Sequence, residues 1–310
     1  MNYRVLLPAL TLALLNFSHP LAAQRTPARP AITGIAFMRV YESDPPAADK
    51  FYRSLGYQPQ TLGALERFAV NPHQWIEFER LPTPPPPGRM AEYGFTTADA
   101  ATLEKYLKAN GVAIAAPLHA GRFAVDDPEG NRVVFVQAGS FHEDPAQQAA
   151  ASRAPSHRII HVGFIVRDTR AEDAFYRQLL GFRPYWYGGM KDDALNFISL
   201  QVPDGTDWIE YMLLNRSANP DPEQRLRDFG MSDHFSLGVD QMSTVVAGLA
   251  ANHCAGPNCA KTQMGRDGKV QLNVFDPDFT RIEYMEFKPS GPICCSAFTG
   301  KHPSAEDPTP

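Results

Sequence analysis

The sequence predicts an α+β fold of four βαβββ modules arranged as two paired units, and three observations carry that prediction. The chain repeats itself, each copy alternates apolar strands with one short helix, and the same strand-turn motifs close both copies. Ala48–Pro59 (ADKFYRSLGYQP) matches Glu172–Pro184 (EDAFYRQLLGFRP) with one residue inserted. An apolar strand precedes each, ITGIAFMRV from Ile32 and IIHVGFIV from Ile159. A Trp-Ile-Glu strand follows each, Gln74–Arg80 (QWIEFER) and Asp207–Leu213 (DWIEYML). Asp126–Val136 (DDPEGNRVVFV) then matches Phe275–Met285 (FDPDFTRIEYM). Residues 32–138 and 159–288 are therefore two copies of one unit, and the polar, Ala-rich, Pro-bounded stretch 139–158 reads as the linker.

Each unit divides again. In the second, the strand Ile159–Val166 leads to a helix near Arg170–Leu180. Thr169 and Glu172 read as its capping box and Gly181 as its stop, with Phe175, Leu179 and Phe182 on one face. Strands follow near Arg183–Tyr187, Leu195–Val202 and Asp207–Leu214. The order then recurs, with a strand at His234–Val239, a helix at Ser243–Asn252, and strands near Lys261–Met264, Lys269–Phe275 and Arg281–Phe287.

The flanking segments place the protein. Met1–Ala23 has Arg4 in a short basic start, an apolar run Val5–Phe17 and small residues at Leu21-Ala22-Ala23. This is the pattern of a secretory signal, with an apolar run well short of the ~20 residues that span a bilayer. An exported protein, periplasmic or secreted, with no integral membrane segment after signal removal, is the expectation. The four cysteines suit an oxidising compartment: Cys254 and Cys259 flank the turn-forming AGPN, whereas the partners of the adjacent Cys294 and Cys295 are not legible. Residues 289–310 form a Pro-rich tail, and the 28 prolines of the chain lie mostly outside the periodic segments. Lys and Arg total 29 against 34 Asp and Glu, a net charge of −5 that gives no basic footprint for nucleic acid. The expected partner is a small-molecule substrate, and the sequence leaves a homo-oligomer open.

Strand alternation sorts the second unit's residues by face. Val162, Phe164 and Val166 face the helices, as do Ile209, Tyr211 and Leu213, then Phe235, Leu237 and Val239, then Ile282 and Tyr284. The opposite face carries His161, Glu210, His234 and Glu283. The separation from His161 to Glu210 is 49 residues, and so is that from His234 to Glu283. Pseudo-twofold pairing of the two modules brings all four into one cupped sheet. Gly163, Ser236 and Gly238 beside the histidines are expected to leave room for a ligand, and Trp208, Met212, Ser236 and Arg281 to contact it. Two imidazoles and two carboxylates form an N/O donor set for one divalent ion, Fe, Mn, Ni, Co or Zn. Any one of the four could be a packed or solvated residue, but four at equivalent repeat positions would be costly to bury unpaired. Aligning the repeats sets Gly34, Glu77, Tyr93 and Val134 of the first unit against His161, Glu210, His234 and Glu283, so the first unit is expected to be degenerate, without a metal site.

On FYRSLGY and FYRQLLGF after the first strands, the turns Asp127-Pro128 and Asp276-Pro277, and the ligand strands, residues 32–288 resemble the vicinal oxygen chelate superfamily. That superfamily includes glyoxalase I, extradiol dioxygenases and bleomycin-resistance proteins. The resemblance implies that each pair of modules forms an open cupped β-sheet barrel flanked by helices. It also implies a glyoxalase-type quartet of His161, Glu210, His234 and Glu283, or an extradiol-type triad of His161, His234 and Glu283. Extradiol enzymes carry a further His and a Tyr before the last ligand strand. Gly256–Arg281 has neither, and Asn273 stands near the Tyr position. Three activities follow: a metal-dependent, glyoxalase-like lyase or isomerase with Glu210 or Glu283 moving the proton; a non-haem Fe(II) dioxygenase; and a non-catalytic ligand-binding or resistance protein. The fourth donor, Glu210, puts the lyase first.

Overall fold

The computed structural model describes residues 27–63, 65–140, 153–213, 221–254 and 258–306. The expected signal segment and most of the linker lie outside them. The first unit contains β1 (Ile32–Glu42), α1 (Pro45–Ser54), β2 (Pro59–Leu62), β3 (Leu65–Asn71), β4 (Gln74–Arg80), β5 (Met90–Thr97), α2 (Ala100–Ala109), β6 (Ile114–His119), β7 (Arg122–Asp126) and β8 (Arg132–Gln137). The second contains β9 (Ile159–Ile165), α3 (Thr169–Asp173) running into a π-helical turn (Ala174–Leu179), β10 (Arg183–Gly188), β11 (Phe197–Gln201) and β12 (Trp208–Met212). After these come α4 (Pro222–Ser232), β13 (His234–Val239), α5 (Met242–Ala251), β14 (Thr262–Met264), β15 (Val270–Phe275) and β16 (Arg281–Glu286).

Each unit is one eight-stranded mixed sheet, ordered β2-β3-β4-β1-β5-β8-β7-β6 and β10-β11-β12-β9-β13-β16-β15-β14. The two modules of a unit join through their first strands, β1 with β5 and β9 with β13, both antiparallel. Each first strand also pairs parallel with the last strand of its own module, which places the four ligand-bearing strands of the second unit side by side at the centre of the sheet. This is the predicted α+β arrangement of paired βαβββ modules.

The repeated motifs hold the units to each other. Tyr52 of the first FY motif donates to Asp276 in the second unit's Asp-Pro turn, 3.4 Å away. Reciprocally, Tyr176 donates to Asp127 in the first unit's turn at 3.1 Å. Gln74 bridges both first strands, accepting from Ile159 N and donating to the carbonyls of Ile35 and Ile159. Asp207 accepts from Ile35 N and forms a buried ion pair with Arg158. One apolar core, including Tyr52, Phe68, Phe95, Phe164, Tyr211 and Tyr284, runs through both units.

Four details differ from the expectation. The cap of α3 is Asp168, whose carboxylate accepts from Arg170 N and Ala171 N, while Glu172 is fully buried and accepts from Glu129 N across the unit boundary. The residue inserted in FYRQLLGF is absorbed as a π turn, with Leu180 N bonded to Phe175 O. The end of the linker is packed: Ala154, Ser156 and Arg158 are buried, and Ser156 O accepts from Tyr57. Helix α4 has no counterpart in the sequence reading, although Asp221 capping and Pro222 in the first turn mark its start.

At the seam, Glu42 is fully buried beside two further carboxyl groups, Asp276 and Asp278. Burial first, then Asp276 and Asp278, holds its pKa far above the ordinary range. Below about pH 4.5 the carboxyl is protonated in both folded and unfolded chains and costs nothing. As pH rises, the unfolded chain loses the proton and the folded one keeps it, so stability falls. Glu42→Gln is expected to raise stability by about 1 kcal/mol at pH 8, roughly 2–4 °C in the melting midpoint, with little change at pH 4. Paired thermal melts at the two pH values check this; an equal shift at both would assign the effect to packing.

Candidate metal centre

Register fixes the site. β12 sets Trp208 beside His161 and Glu210 beside Gly163, β13 sets Ser236 beside His161 and His234 beside Gly163, and β16 sets Glu283 beside Ser236. The four predicted side chains converge. His161 Nε2 lies 3.0 Å from His234 Nε2 and 3.2 Å from Glu283 Oε2. Glu210 Oε2 lies 3.7 Å from His234 Nε2, and one donor atom from each of His161, Glu210 and His234 falls within 4.8 Å of the others.

Helix α4 aims His234. The strand begins directly after the helix, and the Nδ1–H of His234 donates to Ser232 O at 2.8 Å, leaving the Nε2 lone pair turned into the cluster. The helix reaches this position because a Cβ on Gly230 would meet Phe279 O at 2.0 Å. Gly163 matters more directly: a Cβ there would stand 2.0 Å from the His234 ring. The space beside the histidines is thus taken by the imidazole and, at Gly238, by Phe287, rather than by a ligand. His161 packs its ring on Trp208 at 4.7 Å.

Burial lowers the pKa of both imidazoles, with Arg281 adding to the effect at His234, so they are neutral lone-pair donors. Burial, and then Glu283, pushes Glu210 up to about 8. Burial opposes ionisation of Glu283 too, but the His161 hydrogen bond and Arg281 keep it below the ordinary range. A donor set of two neutral imidazoles and a carboxylate, with nitrogen lone pairs facing across 3.0 Å, fits a divalent cation. His161, His234 and Glu283 would hold it, with Glu210 at the open side; the Glu210 side chain is 16% exposed against 3% for Glu283.

A cavity of about 350 Å³ opens over the cluster. Glu210 and Glu283, the two expected catalytic residues and also expected ligands, line it together with Trp208, Met212 and Arg281, three of the four expected substrate contacts. Ser236 does not reach it: the residue is fully buried between β9 and β16, and its hydroxyl has no partner. The sequence reading missed the far wall. The tail folds back, with Trp186 donating to Cys294 O, Thr299 N to Tyr185 O and Gln201 to Lys301 O, so that Phe298 closes one side of the cavity. Lys269 is also buried there, its ammonium 4.3 Å from the Trp208 ring and its pKa lowered to about 8 by burial. The four cysteines pair as Cys254–Cys259 and Cys294–Cys295.

The first unit lacks this donor set, and the register corrects the expected alignment. Phe37 pairs with Trp75 and Gly94 as His161 does with Trp208 and Ser236, and Arg39 pairs with Glu77 and Glu92 as Gly163 does with Glu210 and His234. The counterparts of the two histidines are therefore Phe37 and Glu92, not Gly34 and Tyr93, while Glu77 and Val134 stand as predicted. Tyr93 faces the core and its hydroxyl bonds to Tyr176. Arginines occupy the centre instead: Glu77 takes Arg39 at 2.6 Å and Arg67 at 2.7 Å, and Trp75 Nε1 donates to it at 2.7 Å. Burial works against its ionisation, yet Arg39, Arg122 and Arg67 hold Glu77 below the ordinary carboxylate range.

No protein-family model and no curated protein matches the chain by sequence. Solved structures do match. An extradiol ring-cleaving dioxygenase from B. fuscum aligns over 87% of this chain and 76% of its own, at 16% identity and TM-score 0.61. Homoprotocatechuate 2,3-dioxygenase from Arthrobacter globiformis aligns over 87% and 86%, at 17% identity and TM-score 0.60. A variant of the Brevibacterium fuscum homoprotocatechuate 2,3-dioxygenase aligns over 89% and 75%, at 16% identity and TM-score 0.63. At these identities the likeness establishes the fold alone, across both units.

One metal ion per chain is the expected stoichiometry. Gly163→Ala, by displacing the His234 ring, is expected to weaken metal affinity about 10- to 100-fold, and His234→Ala to abolish binding. Elemental analysis after equilibrium dialysis checks both; two ions per chain, or full retention by His234→Ala, would contradict the assignment.

Proposed function

We propose that the protein is an exported, metal-dependent dioxygenase acting on aromatic vicinal diols, with His161, His234 and Glu283 as ligands and Glu210 as the proton-transfer group. The observation that carries this is the division of labour among the carboxylates. Glu283 is tied to His161 and its side chain is 3% exposed, whereas the Glu210 side chain is 16% exposed to the cavity and pairs with no Lys or Arg among the described residues. Three ligands leave positions on an octahedral ion for a bidentate diol and dioxygen. The fold likeness to ring-cleaving dioxygenases over both units adds support. This reverses the order that the four-donor count alone suggested.

The bound ion would supply Lewis-acid and redox chemistry to a chelated diol. The chain's own residues do the rest. Glu210 accepts a substrate hydroxyl proton at its carboxylate oxygen, the role for which segment 256–281 offers no His or Tyr. Arg281, with its Nε buried and unpartnered at the cavity floor, balances the negative charge left on the diol. Trp208 and Met212, both buried, exclude water from the reacting oxygens. Both atoms of dioxygen enter the ring-opened product, so no external reductant is needed. Export is supported by the pairing of all four cysteines and by the signal-like N-terminal segment.

One observation favours a second reading, a redox-neutral lyase or isomerase: the Glu210 carboxylate groups with both histidines and could serve as a fourth ligand. An oxygen electrode separates the two. With Fe(II)-loaded protein and a catechol, one dioxygen is expected to disappear per diol. Glu210→Gln is expected to keep its metal and slow turnover at least tenfold, while Glu283→Gln loses metal. Turnover of a vicinal-oxygen substrate without oxygen uptake would overturn the dioxygenase reading.

A further inference from the structure

The cavity wall has an unusual composition. Five of the chain's nine methionines line it, Met190, Met212, Met231, Met264 and Met285. They are graded by depth: Met212 and Met285 are 3% and 4% exposed near the carboxylates, whereas Met264 and Met190 at the mouth are 49% and 60% exposed. Met264 also lines an adjoining hollow with Ile293, which is 47% exposed. Met190, Met264 and Ile293 thus supply three of the six exposed large hydrophobic side chains among the described residues. Isolated exposed apolar residues need no explanation, but a continuous apolar track from a polar floor to an exposed rim does. Unbranched thioether side chains reshape around ligands of differing outline.

The polar groups at the outer end are already engaged. Arg266 donates to Gly189 O at 3.1 Å and to Cys294 Sγ at 2.8 Å, and it pairs with Asp192. Among the described residues lining the outer end, the cation Arg266 is thus already engaged and is not free for a negatively charged substituent.

We propose that the substrate carries a neutral, extended apolar substituent, an alkyl or aryl chain, which lies along the methionine track and emerges at Met190, Met264 and Ile293. This rests on the preceding reading only for the chelating head; the track is a binding site in its own right. The consequence is a dependence of affinity on chain length, about fourfold for each methylene fully withdrawn from water and less at the half-open rim.

Quenching of tryptophan fluorescence reports occupancy, since Trp186 and Trp208 line the cavity. Two ligand series, 4-alkylcatechols and alkylbenzenes from methyl to octyl, would be titrated anaerobically into the full chain with and without metal. Affinity is expected to rise two- to fourfold per methylene in both series, and a terminal carboxylate is expected to weaken binding at least tenfold. The slope is expected to flatten in Met190→Ser/Met264→Ser and to persist in Leu118→Ser, an exposed apolar residue of the first unit. Because alkylbenzenes cannot chelate, their series tests the track even where metal binding or turnover fails; failure of the diol series alone would count against the metal reading. A flat alkylbenzene series, or an unchanged slope in the double variant, overturns the proposal. So does a concentration-dependent dimer that the double variant dissolves, since the rim would then be a subunit face.

Discussion

A carboxylate buried at the centre of a cupped sheet must meet positive charge, and the two halves of this chain meet that demand differently. In the first unit Glu77 is fully buried and surrounded by Arg39, Arg67 and Arg122. In the second, Gly163 stands where Arg39 does and Ser199, paired with Glu210, stands where Arg67 does, paired with Glu77. Losing two guanidinium groups there leaves two histidines and two carboxylates around a space of atomic size. A buried ionised carboxylate is expensive unless paired, so the same scaffold position is filled by arginine in one half and suits a metal cation in the other.

The features that define the repeat serve this arrangement without touching it. The FY tyrosines and the Asp-Pro turns are exchanged between units, Tyr52 to Asp276 and Tyr176 to Asp127, which fixes the pseudo-twofold relation of the two sheets. Each sheet can then cup on its own, with its core shared across the seam. The strength of these motifs as sequence signals reflects docking between halves rather than the chemistry of the site.

The module order, the pairing of the modules and the convergence of His161, Glu210, His234 and Glu283 were legible because a period-two alternation and an equal spacing in two modules leave little freedom. The register of the first unit was not. Setting Gly34 of ITGIAF against His161 shifts the alignment by three residues, and the helix caps Asp44 and Asp168, eight residues before Tyr52 and Tyr176, are the signal that corrects it. Ser236 was misplaced because alternation gives a face but not a depth; its neighbours in β9 and β16 cover it. The tail wall at Phe298 and the aim of His234 from α4 depend on segments with no apolar period of their own, so only tertiary structure reveals them. Activity is least legible: the same four donors serve a quartet or a triad, and the choice turns on whether Glu210 faces the ion or the substrate.

Anomalous diffraction from crystals of the full chain soaked with Fe(II) or Mn(II) tests the central claim most directly. One peak per chain is predicted, within about 2.0–2.2 Å of His161 Nε2, His234 Nε2 and a Glu283 oxygen, with none beside Glu77, where Arg39 and Arg67 already stand. A second peak in the first unit, or none at the two histidines, would contradict the account.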